Sequence, residues 1–242
     1  MEIDGGFVSS KVLLVIPAYN EVENIINTVE RINKVCPQYD YVVVNDGSKD
    51  GTANVCMERG YNLVDLPINL GLAGAFQCGM KYAHKKGYDY AIQYDGDGQH
   101  NPQYIKDLVN AAQKDDCDIV IGSRFVSEKL PCSFRMIGSR IISLCVLLTT
   151  GKRIKDPTSG MRLYGKNLIS QLAMQMNYGP EPDTVAFLLR CGARVSEIQV
   201  TMNERTAGQS YLNFSNAVKY MVRMCSSILI AQWFRKKVVI CH

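Results

Sequence analysis

Residues 94–100 read Tyr-Asp-Gly-Asp-Gly-Gln-His, directly after an apolar run. Two carboxylates two residues apart on a loop, Asp95 and Asp97, can converge on one hard divalent cation. Mg2+ or Mn2+ takes oxygen ligands and usually keeps waters and substrate phosphates in its shell. Such a cation would neutralise a departing diphosphate. Gly96 and Gly98 would let the loop turn tightly around a ligand. A polar turn is the other reading of the same pattern.

Further polar clusters stand in similar places. Pro17-Ala18-Tyr19-Asn20-Glu21 follows one apolar run and Asn45 to Thr52 follows another. Asp46 is placed to accept hydrogen bonds from a base N–H or from ribose hydroxyls. Asp50 and Ser48 read as helix N-caps. Asn69-Leu70-Gly71 opens a run of small residues where backbone can approach a ligand closely, or a helix can pack tightly on a sheet.

Elements that would position these clusters are legible from periodicity. Strands are expected at Lys11–Ile16, Tyr41–Val44, Tyr61–Leu66, Tyr88–Tyr94 and Asp118–Ile121. Between them lie helical patterns: Val22 to Ile32, Thr52–Arg59 stopped by Gly60, Gly71–Lys86 stopped by Gly87, and Tyr104–Ala112. Strands alternating with helices imply right-handed βαβ units and a mostly parallel sheet, with ligands outside the carboxyl ends of the strands. Every polar cluster named above follows a strand end. After Gly122 the pattern changes. Phe134–Thr150 and Asn216–Phe234 read as apolar helices bearing arginines, and Val195–Met202 as a strand. Pro180 and Pro182 break the chain within Gly179-Pro-Glu-Pro-Asp183. No repeat or low-complexity linker divides the chain, so residues 1–242 read as one α/β domain. It divides into residues 11–122, which carry the strand–helix alternation, and residues 123–242, with amphipathic helices near the C-terminus.

The set Ile16–Glu21, Val44–Ser48, Asn69–Gly71 and Asp95–His100 resembles the family 2 glycosyltransferases of GT-A fold. Within them it is similar to the polyprenyl-phosphate branch that includes the dolichyl-phosphate mannosyltransferases. Four motifs in order cover roughly residues 11–212. The resemblance implies an inverting transfer of a hexose from a UDP- or GDP-sugar. It implies that Pro17, Ala18, Tyr19, Asn20, Glu21, Asp46, Asn69, Gly71, Asp95 and Gly96 line the donor site. Asp95, Asp97 and Gln99 would surround Mg2+ or Mn2+ and the diphosphate. Asp156 to Arg162 looks like the acceptor-side motif, and Glu204 to Ser210 like a mobile phosphate-gripping segment. There Arg205 would grip phosphate bidentately, and Ser210 would join the donor site.

The acceptor is open at this level. A polyprenyl phosphate is already anionic near neutral pH and needs positioning more than a base. Arg124, Arg135, Arg140, Lys152, Arg153 and Lys155 would serve it. A glycan hydroxyl needs a general base, for which Asp156 and Asp183, or Glu181, are candidates. A non-catalytic nucleotide-sugar-binding partner is the third reading, and the intact Asp95/Asp97 pair speaks against it. No Walker loop or GxGxxG fingerprint occurs.

Composition bounds the setting. With 47% apolar and 21% charged residues the chain is globular. Nine unpatterned cysteines read as reduced thiols, and no secretory signal is read at the N-terminus. Residues 1–120 carry 10 basic and 17 acidic side chains, residues 121–242 carry 17 and 6. The basic half suits phosphates or an anionic surface, whereas nucleic acid would rest on that charge alone. A peripheral position on the cytosolic membrane face is therefore expected. Contact would be direct or through a small membrane-protein partner, with a homodimer as the rival.

Overall fold

The computed structural model describes residues 10–96, 98–127, 134–174, 178–202 and 214–240. Seven strands form one sheet in the order β3-β2-β1-β4-β6-β5-β7. The strands are β1 (Val12–Ala18), β2 (Asp40–Asn45), β3 (Leu63–Asp65), β4 (Tyr90–Gln93), β5 (Ile119–Ser123), β6 (Arg162–Gly165) and β7 (Val195–Gln199). All neighbours pair in parallel except β6, which runs antiparallel to both β4 and β5. After β1 the chain moves outward to β2 and β3, then returns to place β4 on the other side of β1. The crevice between the carboxyl ends of β1 and β4 is thus a topological switch point, the place where such sheets bind ligands.

Both faces of the sheet are covered, as continuous apolar strands require. Val12, Leu14 and Ile16 of β1 pack with α1 (Ile25–Val35) and α4 (Ile105–Lys114). Leu13 and Val15 point the other way, toward α3 (Gly71–Lys86), α6 (Lys166–Met174) and α7 (Pro182–Arg190). A further layer is formed by α5 (Phe134–Thr150), which packs on α8 (Phe214–Leu229). The short α2 (Thr52–Glu58) lies between β2 and β3 in sequence.

The expected mostly parallel sheet is present, and α3 and α5 keep their expected limits. Several details differ. β1 runs through Pro17 to Ala18 because it pairs with β2 on one edge there, and a proline without an N–H is tolerated where its carbonyl still serves. The antiparallel β6 and helix α6 are absent from the sequence reading. Arg-Leu-Tyr-Gly is too short for a periodic signal, and its strand identity comes from lying between β4 and β5. Pro182 does not simply break the chain: it takes the first turn of α7, where its missing N–H costs nothing. The last helix ends at Leu229, and Ala231–Phe234 form a separate 3-10 turn. The carbonyls freed at this break are answered by side chains, Ile228 O by Gln232 and Leu229 O by Trp233.

Gly47 sits in a tight turn at the carboxyl edge. Its φ is +62°, and a Cβ there would lie 2.5 Å from the carbonyl carbon of Ile68. The 66–70 loop can therefore cross directly over the turn after β2. Gly60 has nearly the same φ, +65°, with nothing within 4 Å of its would-be Cβ. Gly47→Ala should lower the melting temperature by roughly 6–12 °C, and Gly60→Ala by roughly 2–4 °C, since only the first adds a backbone clash to left-handed strain. Equal shifts in thermal denaturation would show that the crossing loop simply moves aside.

Candidate active site

Four loops meet at the carboxyl edge, and side chains tie them together. The loop after β1 is joined to the loop after β2 by four hydrogen bonds. Asn20 N donates to Ser48 Oγ at 2.9 Å and Lys49 N to Asn20 Oδ1 at 2.8 Å. Glu21 N donates to Thr52 Oγ1 at 3.0 Å and Val22 N to Asp50 Oδ2 at 3.2 Å. Asn20 adopts φ +56°, a conformation that asparagine tolerates better than most residues. Ser48 is therefore a bridge between loops and not the helix cap expected of it. Asp50 does accept from Thr52 N, but from one position before the Gly51 N-cap, so it joins an Asx turn to the cross-link with Val22.

Asp46 lies deeper, 3% exposed, at the end of β2. Its Oδ1 accepts from Leu70 N at 2.7 Å, which fixes the Asn69–Gly71 corner beneath the Gly47 crossing. Asn69 in turn accepts from Gly71 N. Asp46 thus joins two of the expected donor segments. Pro17, Tyr19 and Glu21 are partly exposed around the same crevice, Asn20 is exposed and Ala18 is buried.

The loop after β4 is built around Asp95 and His100. Asp95 N donates to His100 Nδ1 at 3.0 Å, while His100 Nε2 lies 3.6 Å from Asp95 Oδ2. Since Nδ1 accepts, the proton of a neutral ring sits on Nε2, facing the carboxylate. The ring is 2% exposed, stands edge-on to Tyr94, and its carbonyl accepts from Tyr94 Oη. Gln93 Nε2 donates to Asp95 Oδ1 at 3.1 Å. From α1, Thr28 Oγ1 donates to Gly96 O and Arg31 to Gly98 O. Asp95 is therefore positioned from three sides and still partly open to solvent. Oxygen donors of this kind fit a hard cation. Gln99 is partly exposed on the same loop. Asp97 lies outside the described residues, as do Arg205, Ser210 and the rest of the expected gripping segment.

A family model described as glycosyl transferase family 2 matches residues 13–172. The chain belongs to this family. It is 30% identical to the undecaprenyl-phosphate mannosyltransferase of Micrococcus luteus over 236 residues, 92% of this chain and 96% of that one. It is 27% identical to the polyprenol monophosphomannose synthase of Mycolicibacterium smegmatis over 238 residues, 93% of this chain and 87% of that one. The fold matches a crystal structure of glucosyl-3-phosphoglycerate synthase from Mycobacterium tuberculosis with phosphoglyceric acid. The TM-score is 0.70 at 17% identity, covering 93% of this chain and 80% of that one. The family 2 assignment makes the chain a glycosyltransferase of the polyprenyl-phosphate mannosyltransferase-like branch, with the α/β GT-A fold expected from its motifs.

On this family 2 scaffold the Asp156–Arg162 segment packs directly on Asp95. A Cβ at Gly160 would sit 2.3 Å from Asp95 Oδ2. Sequence reading missed this contact, because residues 95 and 160 are joined only through the β4–β6 pairing. It also missed Arg162, a fully buried guanidinium that donates to Pro157 O at 2.6 Å and to Pro180 O at 2.8 Å. Arg162 thereby holds the 156–160 and 179–181 loops at one spacing.

The expected base candidates are occupied by cations. Asp156 is fully buried. It accepts from Arg124 Nε at 2.7 Å and Nη2 at 2.8 Å, and from Arg124 N at 3.1 Å. Its main-chain N–H and that of Lys155 are held by Glu197 of β7. Asp183 accepts from Ser227 and from Arg235 at 2.6 Å each, and Arg235 stacks over Tyr178. Glu181 pairs with Arg223 at 2.7 Å. Burial pushes its carboxyl above the usual range, with Arg223 working in the opposite direction. Asp156 and Asp183 therefore do not join Asp95 as free carboxylates: one orients Arg124, the other anchors α8 to α7.

Gly160→Ala should reduce glycosyl transfer at least roughly tenfold by forcing Asp95 off its position, a displacement on the scale of an ångström. The circular dichroism spectrum should be unchanged. Near-normal turnover of a folded Gly160→Ala enzyme would show that the carboxylate has room to move.

Proposed function

We propose that this enzyme transfers a mannosyl group from a nucleoside-diphosphate sugar to a polyprenyl phosphate, with inversion at the anomeric carbon. The observation that carries the acceptor choice is the commitment of Asp156 to Arg124. A sugar hydroxyl must lose its proton during attack and needs a base, and the carboxylates suited to that task are engaged with arginines. A phosphate monoester arrives already charged. What it needs is a fixed cation, and Arg124 is held by a bidentate carboxylate with its main-chain carbonyl accepting from Gln199. The mannosyl and polyprenyl assignments are supported by the names of the two relatives.

In this reading an oxygen of the acceptor phosphate attacks the anomeric carbon while the bond to the nucleoside diphosphate breaks. Asp46 binds the nucleoside from the end of β2, and the 17–21 and 69–71 segments line its pocket. Asp95, Asp97 and Gln99 would hold Mg2+ or Mn2+, which when bound would neutralise the leaving diphosphate. A related fold has been crystallised with Mn2+ and uridine diphosphate. His100, Gln93 and Gly160 keep Asp95 in register. A panel of UDP- and GDP-sugars with farnesyl phosphate and with simple saccharides as acceptors tests the assignment. A phosphate-linked mannolipid is expected. Product on saccharide hydroxyls alone would overturn it.

The same reading places the enzyme on the cytosolic face of a membrane. Among the described residues no helix is long and apolar enough to cross one. α5 instead exposes Ile137, Ile141, Leu144 and Leu148 along one stripe, and the end of the chain exposes Trp233 and Phe234. Such a face, with lysines and arginines around it, fits an interfacial position. Each basic residue near an anionic surface contributes about 1 kcal/mol, so docking should weaken steeply with salt. Equal co-sedimentation with neutral and anionic vesicles at low salt would reject electrostatic docking. A membrane-protein partner or a homodimer would then cover this face.

A further inference from the structure

Apart from the donor crevice, a cavity of about 610 Å3 opens between α5, Phe125 and Val126 after β5, and Arg153 and Lys155 after α5. This is the size of a small-molecule site. Phe125, Leu144 and Leu147 give it an apolar lining, and Arg140, Arg153 and Lys155 line it as well. Among the described residues no carboxylate lines it. The nearest acid on β7, Glu197, spends both oxygens on the main-chain N–H groups of Lys155 and Asp156. Lys155 Nζ gives one of its three donors to Val126 O, and Arg153 is exposed with no ion pair among the described residues. Neither Arg124 nor Asp156 lines the cavity: Asp156 turns toward Arg124 while its neighbour Lys155 reaches Val126. The cavity mouth includes Leu144, which is also part of the exposed Ile137–Leu148 stripe.

We propose that this cavity binds the phosphate of an anionic membrane phospholipid, at a site separate from the one that handles the acceptor. Three cations and three apolar side chains lining one cavity match an amphiphile with one charged end. The headgroup phosphate sits among Arg140, Arg153 and Lys155, where arginine favours phosphate oxygens. The first methylenes lie on Phe125, Leu144 and Leu147, and the chain leaves along the α5 stripe toward the bilayer. The enzyme then distinguishes phosphate-bearing lipids from a merely negative surface. The inference rests on the membrane reading for its biological setting, and its test is independent of any bilayer.

Monomeric dihexanoyl phosphatidic acid, below its micelle concentration, is titrated into the full chain. Binding is followed by calorimetry and by the methyl resonances of Leu144 and Leu147. Saturable binding that shifts these methyls is expected. Arg153→Gln/Lys155→Gln should weaken it roughly tenfold or more, and Lys236→Gln/Lys237→Gln, outside the cavity, should leave it intact. Absence of saturable binding overturns the site, even if anionic vesicles still capture the enzyme. Equal weakening by both double variants overturns it too, because it indicates diffuse attraction only. Displacement by saturating farnesyl phosphate overturns the separateness of the site, since the acceptor itself would then fill it. Binding of the monomeric lipid without capture by vesicles supports the site and counts against membrane docking alone.

Discussion

Backbone groups that leave a parallel sheet lose their ladder partners, and at the carboxyl edge of this sheet side chains replace them. Buried N–H and C=O groups must be answered by something. At this edge, exposed to partly buried, side chains answer them: Asn20, Ser48, Asp50 and Thr52 between the first two loops, Asp46 for the 66–70 loop, and His100 for the loop bearing Asp95. The residues expected to meet the donor are thus partly the residues that make a crevice exist. Their substitution will disturb geometry as well as contact, so affinity and fold must be measured together.

A second consequence concerns charge. Among the described residues, three acidic side chains of the C-terminal half are tied to arginines: Asp156 to Arg124, Glu181 to Arg223, Asp183 to Arg235. The three pairs differ in worth. Glu181–Arg223 is partly exposed and contributes little. Asp156–Arg124 buries its carboxylate completely, so loss of Arg124 would leave an unpaired buried charge, which is far more costly than the pair is stabilising. The pairs also leave the excess basic residues on the surface, around α5 and the end of the chain. Positive charge is thereby sorted into a guanidinium fixed on Asp156 and a diffuse field around the exposed apolar face.

Much of the fold and part of the site were legible from residue order alone. Apolar runs followed by polar clusters marked β1, β2 and β4 and their loops, because strands buried on both faces carry a strong local signal. Gly87 marked the end of α3 because its left-handed φ is one that glycine adopts freely. The Asp95–His100 motif and its neighbours indicated the family, and the family model covers the same region. What residue order could not show was pairing across distance. β6 is a strand only because β4 and β5 flank it. Asp156 and Asp183 looked like bases because a carboxylate's partner is not written beside it, and here the partners are 32 and 52 residues away. Gly160 looked like one glycine of a motif until the β4–β6 pairing set it against Asp95. Local physics is encoded locally, whereas which charges are free, which loops touch and which cavity remains open depend on contacts that only the folded chain brings together.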